Sequence, residues 1–374
     1  MPGRNASGRS FPTDDRAAPR CGTGEDRVPG DALPLVSVIM PVRNEVRHIQ
    51  ASLDAVLTQD YPAGRMEVLV VDGMSEDETR EIVRRTVEHR HPGAPPVALL
   101  DNPSRIVPAG LNIGLRRARG EVIIRVDGHC EIARDYIRQC VRSLARTDAD
   151  CVGGPIETVG ETPVAQAIAA AMSSPFGVGN AAFRTTRDRE RPVDTVAFGA
   201  YRRAVFERIG PFDEEFVRTQ DAEFNYRLIR AGGRILLIPV IRSMYYSRAT
   251  LRSLWRQYLE YGFWKARLVQ KRGIPSWRQL VPPALVLTVG AGLALAVLRG
   301  QPAWLVPGWA YVGANLLASA STASRRGWRF LPWLPAAFAA IHFAFGMGFW
   351  KGLWTFGVVK RLRWERSSSS LVGR

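Results

Sequence analysis

The sequence predicts an α/β fold with a mostly parallel sheet, followed by an apolar C-terminal region. From residue 35, apolar runs rich in β-branched residues alternate with stretches of helical periodicity. Two of the runs end in an acidic residue, at Asp72 and Asp127, and long segments beyond residue 279 lack charge. Strands that alternate with helices build a sheet covered by helices, so one large domain of this kind is expected over residues 34–250.

The elements can be assigned in chain order. Residues 1–33 are rich in Gly, Pro, Arg and Asp and lack apolar periodicity, so a disordered tail is expected. The second half of the domain, 151–250, has weaker periodicity; with the run 235–240 it is expected to complete a mixed sheet and to form the acceptor side. In the first half, strands are predicted at 35–40, 67–71 and 121–126, and helices at 46–58, 76–90 and 108–118.

The composition limits the classes of function. The chain of 374 residues carries 51 basic and 35 acidic residues, a net charge of +16. Its arginines crowd around the apolar C-terminal segments, which indicates contact with anionic lipid and not with nucleic acid. The four cysteines show no CxxC spacing, so reduced cytosolic thiols are expected. No apolar signal segment opens the sequence.

Three long apolar segments predict attachment to a lipid bilayer. Each approaches or exceeds the roughly 20 residues that cross the hydrocarbon core, and one soluble core helix does not account for three in succession. Two or three transmembrane helices are therefore expected within 279–358, and a basic, Ser-rich tail over 359–374. The segments without charge are 280–298, 303–324 and 331–350.

The basic residues predict a multi-pass protein of the cell membrane with its large domain in the cytoplasm. In this orientation the loop 299–302 lies outside, and the loop that contains Arg325, Arg326 and Arg329 lies inside, in agreement with the positive-inside rule. A third full span would place the basic tail outside. The segment 331–358, broken by Pro and Gly, is therefore expected to be re-entrant or interfacial.

A short motif after the third predicted strand indicates a metal site. Asp127 and His129 lie two residues apart at the strand end, and a carboxylate and an imidazole at this spacing can reach one divalent cation. Gly128 between them leaves backbone room for a bulky ligand. Asp72 ends the preceding strand in the same way, and α/β sheets bind ligands at the carboxyl ends of their strands. The alternative is that such acids cap strand-to-helix turns.

Five sequence elements together resemble the family-two glycosyltransferases. They match the order and spacing of that family over about residues 35–270, and they are most similar to its membrane-anchored, succinoglycan-type exopolysaccharide enzymes. The resemblance implies a Rossmann-like GT-A fold, a nucleotide-diphosphate sugar as donor, and a divalent cation, Mn²⁺ or Mg²⁺. The elements are VSVIMPVRNE at 36–45, VVDGMSEDET at 70–79, GLNIGLRRARGEVI at 110–123, DGH at 127–129 and TQDAEFNYRL at 219–228.

The resemblance assigns residues to the nucleotide sugar. Asp72 is expected to accept a hydrogen bond from the base, and Arg105 to pair with the donor phosphate, with a plain surface arginine as the alternative. Pro41 is expected to end the first strand, and the loop after it to present polar groups. Ser75 and Asp77 are interpreted as the start of a helix, where they bind free amides. The expected donor-binding set is Pro41, Arg43, Asn44, Glu45, Asp72, Arg105 and Asp127.

The resemblance also assigns the ligands of the cation. Asp127 is expected to contact both ribose and metal, with His129 as a direct ligand. The family more often has a second aspartate here, and the softer imidazole favours Mn²⁺ over Mg²⁺. The cation would bridge the two phosphates and stabilise the charge that develops on the departing nucleoside diphosphate.

Asp221 is the predicted catalytic base. Transfer with inversion needs a carboxylate that takes the proton of the attacking acceptor hydroxyl. The family usually has Glu-Asp here; Gln220 replaces the acid, which leaves the base role to Asp221 and a possible acceptor contact to Gln220. The following residues predict a helix that packs through Phe224 and Leu228, with Glu223 structural or facing the acceptor. The alternative role for Asp221 is capping of this helix.

The segment 251–278 is expected to be an amphipathic, interfacial helix. Its apolar residues lie at helical spacing among basic ones, so it can rest on lipid, and Arg256 or Lys265 can neutralise a lipid pyrophosphate. Packing against the large domain is the alternative. Processive synthases of the family carry Gln-x-x-Arg-Trp in a comparable region, whereas this chain has QYLEY at 257–261, which disfavours polymer synthesis.

These observations predict a membrane-anchored, metal-dependent, inverting hexosyltransferase. It would transfer a hexose from a nucleotide-diphosphate donor, UDP-linked by preference, to a polyprenyl-diphosphate-linked saccharide in exopolysaccharide biosynthesis. The alternatives are a processive polysaccharide synthase and a non-catalytic membrane protein that binds nucleotide sugars. The prediction requires Asp127 and Asp221, far apart in the sequence, to converge on one pocket.

Overall fold

The structure, a computed structural model, describes residues 33–179, 181–273 and 277–359. The predicted tails 1–33 and 359–374 lie outside these ranges except at their inner ends. The strands are β1 (Val36–Val42), β2 (Met66–Asp72), β3 (Val97–Asp101), β4 (Val122–Arg125), β5 (Cys130–Ile132), β6 (Cys151–Gly154), β7 (Ile156–Val159), β8 (Arg191–Pro192), β9 (Ala197–Arg202), β10 (Ile235–Leu237) and β11 (Ser243–Tyr246). The helices are α1 (Ile49–Leu57), α2 (Thr79–Glu88), α3 (Val107–Arg117), α4 (Tyr136–Arg146), α5 (Pro163–Met172), α6 (Pro175–Val178), α7 (Ala182–Thr185), α8 (Arg203–Ile209), α9 (Gln220–Arg230), α10 (Leu251–Arg272), α11 (Val281–Arg299), α12 (Val306–Arg326) and α13 (Leu334–Trp354).

The strands form two sheets. The main sheet has the order β3-β2-β1-β4-β9-β6-β10-β8, and its first four strands are parallel. β9 runs antiparallel to β4 and β6, so the sheet is mixed but mostly parallel, as predicted. A small second sheet contains β5, β11 and β7. The carboxyl ends of β1, β2 and β4 meet at one edge of the main sheet, where α/β folds bind their ligands.

Helices cover both faces of the main sheet because side chains alternate along each strand. On β1, Val38 and Met40 belong to a hydrophobic cluster that also contains Ile49 of α1. Ile39 points to the opposite face, where it clusters with Leu111 of α3. The strand order and the two buried faces therefore place the loops after β1, β2 and β4 side by side.

The first elements agree with the prediction to within three residues, with two differences. Pro41 does not end β1, which continues through Val42. The N–H of Val126 bonds to the carbonyl of Ile39, and β4 pairs with β1 only as far as Ile39. The missing N–H of Pro41 therefore lies on the side of β4, beyond the last pair of those two strands, while β1 stays paired with β2 at this residue. The strand β3, which the sequence did not indicate, lies at the sheet edge and is only partly buried.

The helices α10 and α13 cross in backbone contact. A Cβ atom on Gly262 would lie 1.9 Å from the carbonyl oxygen of Phe345, and one on Gly348 would lie 2.0 Å from the carbonyl oxygen of Leu259. Phe338 of α13 also belongs to the main hydrophobic cluster of the large domain. The predicted interfacial helix is thus packed between α13 and the large domain, which was the alternative left open for this segment.

Within the described ranges, one helical segment is long and apolar enough to cross a membrane: Trp277–Arg299, with a mean hydropathy of 2.1. The second and third predicted spans also form long helices, α12 and α13. Polar and charged residues, such as Asn315 in α12 and His342 and Lys351 in α13, make them less apolar. The structure therefore supports one candidate span and does not confirm two or three.

Candidate active site

The Asp-Gly-His motif forms the turn between β4 and β5 at the carboxyl edge of the main sheet. Ser52 of α1 donates a hydrogen bond to the carbonyl oxygen of Gly128, at 3.0 Å. A Cβ atom on Gly128 would lie 2.9 Å from Cγ1 of Val42 and 3.1 Å from Cγ of Glu45. The space beside Gly128, predicted to accommodate a ligand, is filled by the chain that follows β1. Glycine is required here for the packing of two loops.

Arg125, the last residue of β4, holds the carboxylate of Asp127 with two parallel hydrogen bonds. Its Nε donates to Oδ1 at 2.8 Å and its Nη2 donates to Oδ2 at 3.0 Å. Both side chains are largely buried, at 17% and 18% exposed. Burial by itself would raise the pKa of Asp127, but the charges of Arg125 and His129 lower it below the ordinary value. Asp127 is therefore anionic and fixed in orientation.

The imidazole of His129 is held by Glu45. Its Nδ1 lies 2.8 Å from Oε1 of Glu45, and the backbone N–H of Glu45 donates to Oγ1 of Thr79, also at 2.8 Å. Tyr245 of β11 packs edgewise against the imidazole, with 5.4 Å between the ring centroids. A histidine that donates one ring N–H to a carboxylate keeps the other nitrogen as an electron-pair donor, as metal-bound histidines do. The structure thus places Glu45, predicted to bind nucleotide, as the partner of His129.

Asp127 and His129 fit a divalent cation by their chemistry. A carboxylate and an imidazole suit a first-row ion such as Mn²⁺, and the oxygens of Asp127 keep further lone pairs beside Arg125. Burial would lower the pKa of His129, yet Glu45 and Asp127 raise it, so a cation has to compete with a proton for the second ring nitrogen. In the part of the chain that the structure describes, no group of three or more His, Cys, Asp or Glu residues could hold a metal ion. A cation would therefore need additional oxygen ligands from a substrate.

Asp72 lies fully buried at the carboxyl end of β2, with both carboxylate oxygens engaged. Ser75 Oγ donates to Oδ1 at 2.5 Å, and Arg80 Nη1 donates to Oδ2 at 2.7 Å. Arg80 also donates to Asp101 at the end of β3, at 2.8 Å. The carboxylate has a fixed orientation at the sheet edge, and a base bound there would share it with these donors.

The loop after β1 is tied to the loop after β2. Asn44 has a positive φ of 53°, which asparagine tolerates. Its N–H donates to Ser75 Oγ, and its Oδ1 accepts the N–H of Glu76, both at 2.9 Å. Asp77 accepts the N–H of Thr79 at the start of α2, at 3.0 Å, as expected for a helix start. Ser75 does not cap the helix and joins the two loops instead.

Arg43 and Arg105 share one carboxylate at the rim of this edge. Nη2 of Arg43 lies 3.7 Å from Oε1 of Glu76, and Nη1 of Arg105 lies 3.2 Å from the same atom. All three side chains are exposed. The structure therefore brings the arginine predicted to bind phosphate next to the loop after β1.

Asp221 is the second residue of α9, and its charge reaches the Asp127 pair. The N-cap residue Thr219 has a left-handed backbone (φ 61°), a strained conformation for a β-branched residue of the kind that clusters at functional sites. Burial would lower the pKa of Arg125, but the charges of Asp127 and Asp221 raise it. The charge of Asp221 also acts on Lys265 of α10. The charges of Asp127 and Asp221 thus both act on the guanidinium group of Arg125.

The residues on either side of Asp221 are buried. Gln220 is 5% exposed at the start of α9. Glu223 is fully buried, and its carboxylate accepts hydrogen bonds from Arg227 at 2.8 Å and from Arg272 at 3.0 Å. Glu223 therefore joins α9 to the end of α10 and has a structural role.

The two basic residues predicted to meet the acceptor lie on different sides of α10. Burial lowers the pKa of Lys265, while Asp221 and Asp194 act to raise it. Arg256 is exposed, and the α-helical period puts it on the opposite side of the helix from Lys265. The charge of Asp221 thus acts on Lys265, whereas Arg256 lies on the opposite, exposed side of the helix.

Sequence reasoning missed a group of polar side chains beside His129. It consists of Tyr245, which packs against His129, and of Gln257, Tyr261 and Arg184. Gln257 Nε2 donates to the hydroxyl oxygens of Tyr245, at 3.2 Å, and Tyr261, at 3.0 Å. Arg184 lies 5.5 Å from the centroid of the Tyr245 ring. The spacing of Gln257 and Tyr261 on one helix face was visible in the sequence. The contacts of Tyr245 in β11 with Gln257 and with Arg184 of α7 depend on the fold.

A solved structure of a known enzyme shares this fold. The mannosyltransferase PcManGT from Pyrobaculum calidifontis, in complex with GDP-Man and Mn²⁺, superposes with a TM-score of 0.58 at 23% identity and covers 87% of this chain and 88% of its own. The mixed sheet, its strand-terminal acids and this similarity define the GT-A fold of glycosyltransferases.

The sequence comparisons identify the family. Residues 37–210 match the family described as Glycosyl transferase family 2. The succinoglycan biosynthesis protein ExoA of Rhizobium meliloti (strain 1021) is 31% identical over 322 residues, which are 85% of this chain and 95% of that protein. The glycosyltransferase AglE of Haloferax volcanii is 31% identical over 203 residues, 54% of this chain and 63% of that protein. The chain belongs to glycosyl transferase family 2.

Proposed function

We propose that the protein is a metal-dependent, inverting hexosyltransferase at the cytoplasmic face of the cell membrane. Its donor is a nucleoside-diphosphate sugar, UDP-linked, and its acceptor is a saccharide carried on a polyprenyl diphosphate. The observation that supports the proposal is the carboxylate of Asp127, held by Arg125 close to His129, together with the charge of Asp221, which acts on the same guanidinium group. The name of the relative ExoA supports exopolysaccharide synthesis as the pathway, and the ligands of PcManGT support a nucleotide sugar and a divalent cation.

The donor lies along the carboxyl ends of β1, β2 and β4. Asp72 is assigned to the base; because its carboxylate is fully buried beneath Ser75 and Arg80, a bound base would have to displace one of these donors to reach it. Arg43 and Arg105 contact the diphosphate. Both guanidinium groups pair with the exposed carboxylate of Glu76, so an incoming anion can compete with it for them. Asp127 contacts the ribose.

Asp221 is the general base. It takes the proton of the acceptor hydroxyl as that oxygen attacks the anomeric carbon, and the bond from this carbon to the diphosphate breaks on the opposite side. One displacement inverts the configuration and needs no covalent intermediate. The N–H of Ala222 donates to Oδ1 of Asp221 at 2.8 Å, which orients the carboxylate. A divalent cation held by Asp127 and His129 supplies charge neutralisation at the departing nucleoside diphosphate.

The acceptor enters from the side of α10. Lys265 lies near Asp221, where its charge can face the diphosphate of the lipid carrier. Gln220, next to Asp221, belongs to the same side. Arg256 lies on the exposed side of α10, so its role is contact with anionic headgroups and not with the reacting diphosphate.

Attachment to the membrane uses α11 together with α12. Arg325 and Arg326 end α12, Arg329 follows it, and all three remain at the cytoplasmic side. α13 packs on α10 and does not cross the bilayer. Large apolar side chains that are exposed together on neighbouring helices mark a membrane contact. Large side chains exposed on the two helices are Leu287 (56%), Leu298 (78%), Trp309 (69%) and Leu317 (74%).

The substitution Asp221→Asn tests the proposal. We expect transfer to fall by about 10²–10⁴-fold, while UDP binding, measured by calorimetry, stays unchanged. The assay measures nucleotide release from a panel of UDP- and GDP-sugars with membranes that supply the lipid-linked acceptor and Mn²⁺.

The matched control is Asp60→Asn, which removes a surface ion pair with Arg138 (2.8 Å) and should keep full activity. Full turnover by Asp221→Asn would remove the base assignment. Products of many sugar units on a gel would favour a processive synthase, and donor binding without transfer by the wild type would favour a non-catalytic binding protein.

A further inference from the structure

The strand β4 ends in a buried arginine. It reads Val-Ile-Ile-Arg, and the three residues before Arg125 are buried. The side chain of Arg125 is itself only 17% exposed. A guanidinium removed from water to this extent is costly unless a carboxylate pairs with it. Asp127, two residues further on, supplies that pair through bonds of 2.8 and 3.0 Å.

The charges of two acids of the proposed reaction act on Arg125. Its Nε and Nη2 both donate hydrogen bonds to Asp127, and the charge of Asp221 also acts on its guanidinium group. Two carboxylates in a shielded pocket repel each other, and a positive charge between them offsets this repulsion. Arg125 therefore supplies this positive charge before any substrate binds.

We propose that Arg125 is a positioning residue that couples cation binding to donor binding. The inference rests on the proposed function. The two hydrogen bonds fix the plane of the Asp127 carboxylate, while the positive charge weakens the attraction of the pocket for a divalent cation. The diphosphate of the donor brings its own negative charge and restores that attraction. Even at the dielectric constant of water, about 80, one unit charge at about 6 Å changes the affinity for a divalent cation by roughly tenfold, and the change is larger in a shielded site.

Electron paramagnetic resonance of Mn²⁺, titrated into the full chain in detergent, tests this coupling. We expect the wild type to bind Mn²⁺ weakly alone and at least about tenfold more tightly with UDP or GDP. Arg125→Gln removes the charge, so it should bind Mn²⁺ about tenfold more tightly without nucleotide, and the effect of nucleotide should shrink. Arg125→Lys keeps the positive charge but cannot make the two parallel hydrogen bonds to Asp127. It should bind Mn²⁺ alone as the wild type does, with a raised KM for the donor.

The matched control is Arg208→Gln, which removes a pair with Asp150 (2.7 Å) at the opposite edge of the sheet. It should change neither Mn²⁺ binding nor the effect of nucleotide. Wild-type Mn²⁺ affinities in a folded Arg125→Gln variant, with and without nucleotide, would overturn the inference and leave the proposed function standing. If Arg125→Gln does not fold, a wild-type donor KM in Arg125→Lys overturns it. No Mn²⁺ binding by the wild type with either nucleotide would overturn the proposed function and the inference together.

Discussion

Replacing Gly348 with alanine should force α13 away from α10. The new Cβ would lie 2.0 Å from the carbonyl oxygen of Leu259 and 3.1 Å from its Cα. Backbone atoms cannot rotate aside, so the helices must separate by roughly 1 Å to reach normal contact distances. Overpacking of this kind costs about 1–3 kcal/mol, and the better helix propensity of alanine returns about 1 kcal/mol. Because the obstacle is backbone, we expect the upper part of this range, a net loss of about 1–2 kcal/mol.

The matched variant is Gly290→Ala in α11, where a Cβ meets nothing within 4 Å. It gains the same helix propensity without a clash, so it should be neutral or stabilising. Thermal unfolding of both variants in one detergent, followed by tryptophan fluorescence, measures the difference; Tm should fall by roughly 2–5 °C for Gly348→Ala only. Equal Tm values for the two variants would refute the backbone contact between α10 and α13. Gly262→Ala repeats the test from the other helix.

Two further predictions concern carboxylates. Glu45→Gln should weaken Mn²⁺ binding by about 10–100-fold, because His129 loses the group that orients it. A Mn²⁺ titration measures this affinity. If Glu45→Gln and the rim variant Glu76→Gln bind Mn²⁺ with the same affinity, the prediction is wrong. Glu67→Gln should remove an acid-sensitive part of the stability. Burial would raise the pKa of Glu67, but hydrogen bonds from Ser37 and Arg119, both at 2.6 Å, lower it below 4.5. This stabilisation is present above pH 4.5 and is lost as the pH falls through the lower pKa of the folded state. Unfolding midpoints of the wild type and of Glu67→Gln should therefore differ above pH 4.5 and converge as the pH falls below it. A difference between the two midpoints that does not change with pH would argue against the assignment.

The central strands could be predicted because burial on both faces makes them continuous apolar runs. β1, β2 and β4 each lie inside the main sheet and show this pattern. β3 lies at the edge, is only partly buried, and has no such signal. The run 235–240 is strand only over Ile235–Leu237, since β10 pairs with short partners, β6 and β8.

The residues of the site could be located from the sequence, but their partners could not. Asp127, His129 and Asp221 follow recognisable local patterns at a strand end and a helix start. The contact between His129 and Glu45 joins residues 84 positions apart, and it depends on how two loops pack. Arg125 was visible two residues before Asp127, yet its role required the geometry of the pair. Local patterns therefore identify the reactive groups, and the tertiary fold determines what orients them.

The helix α10 connects the C-terminal helices with the candidate site in the large domain. Gln257, Tyr261 and Lys265 recur every four residues, so they share one side of the helix, next to β11 and Asp221. Gly262, one position beyond Tyr261, faces α13 in backbone contact. Because both contacts are made by one rigid helix, a shift of α13 moves the polar side chains at the pocket with it. On the proposed function, a lipid-linked acceptor at the membrane surface would therefore meet a pocket whose wall is positioned by the helices that reach the bilayer.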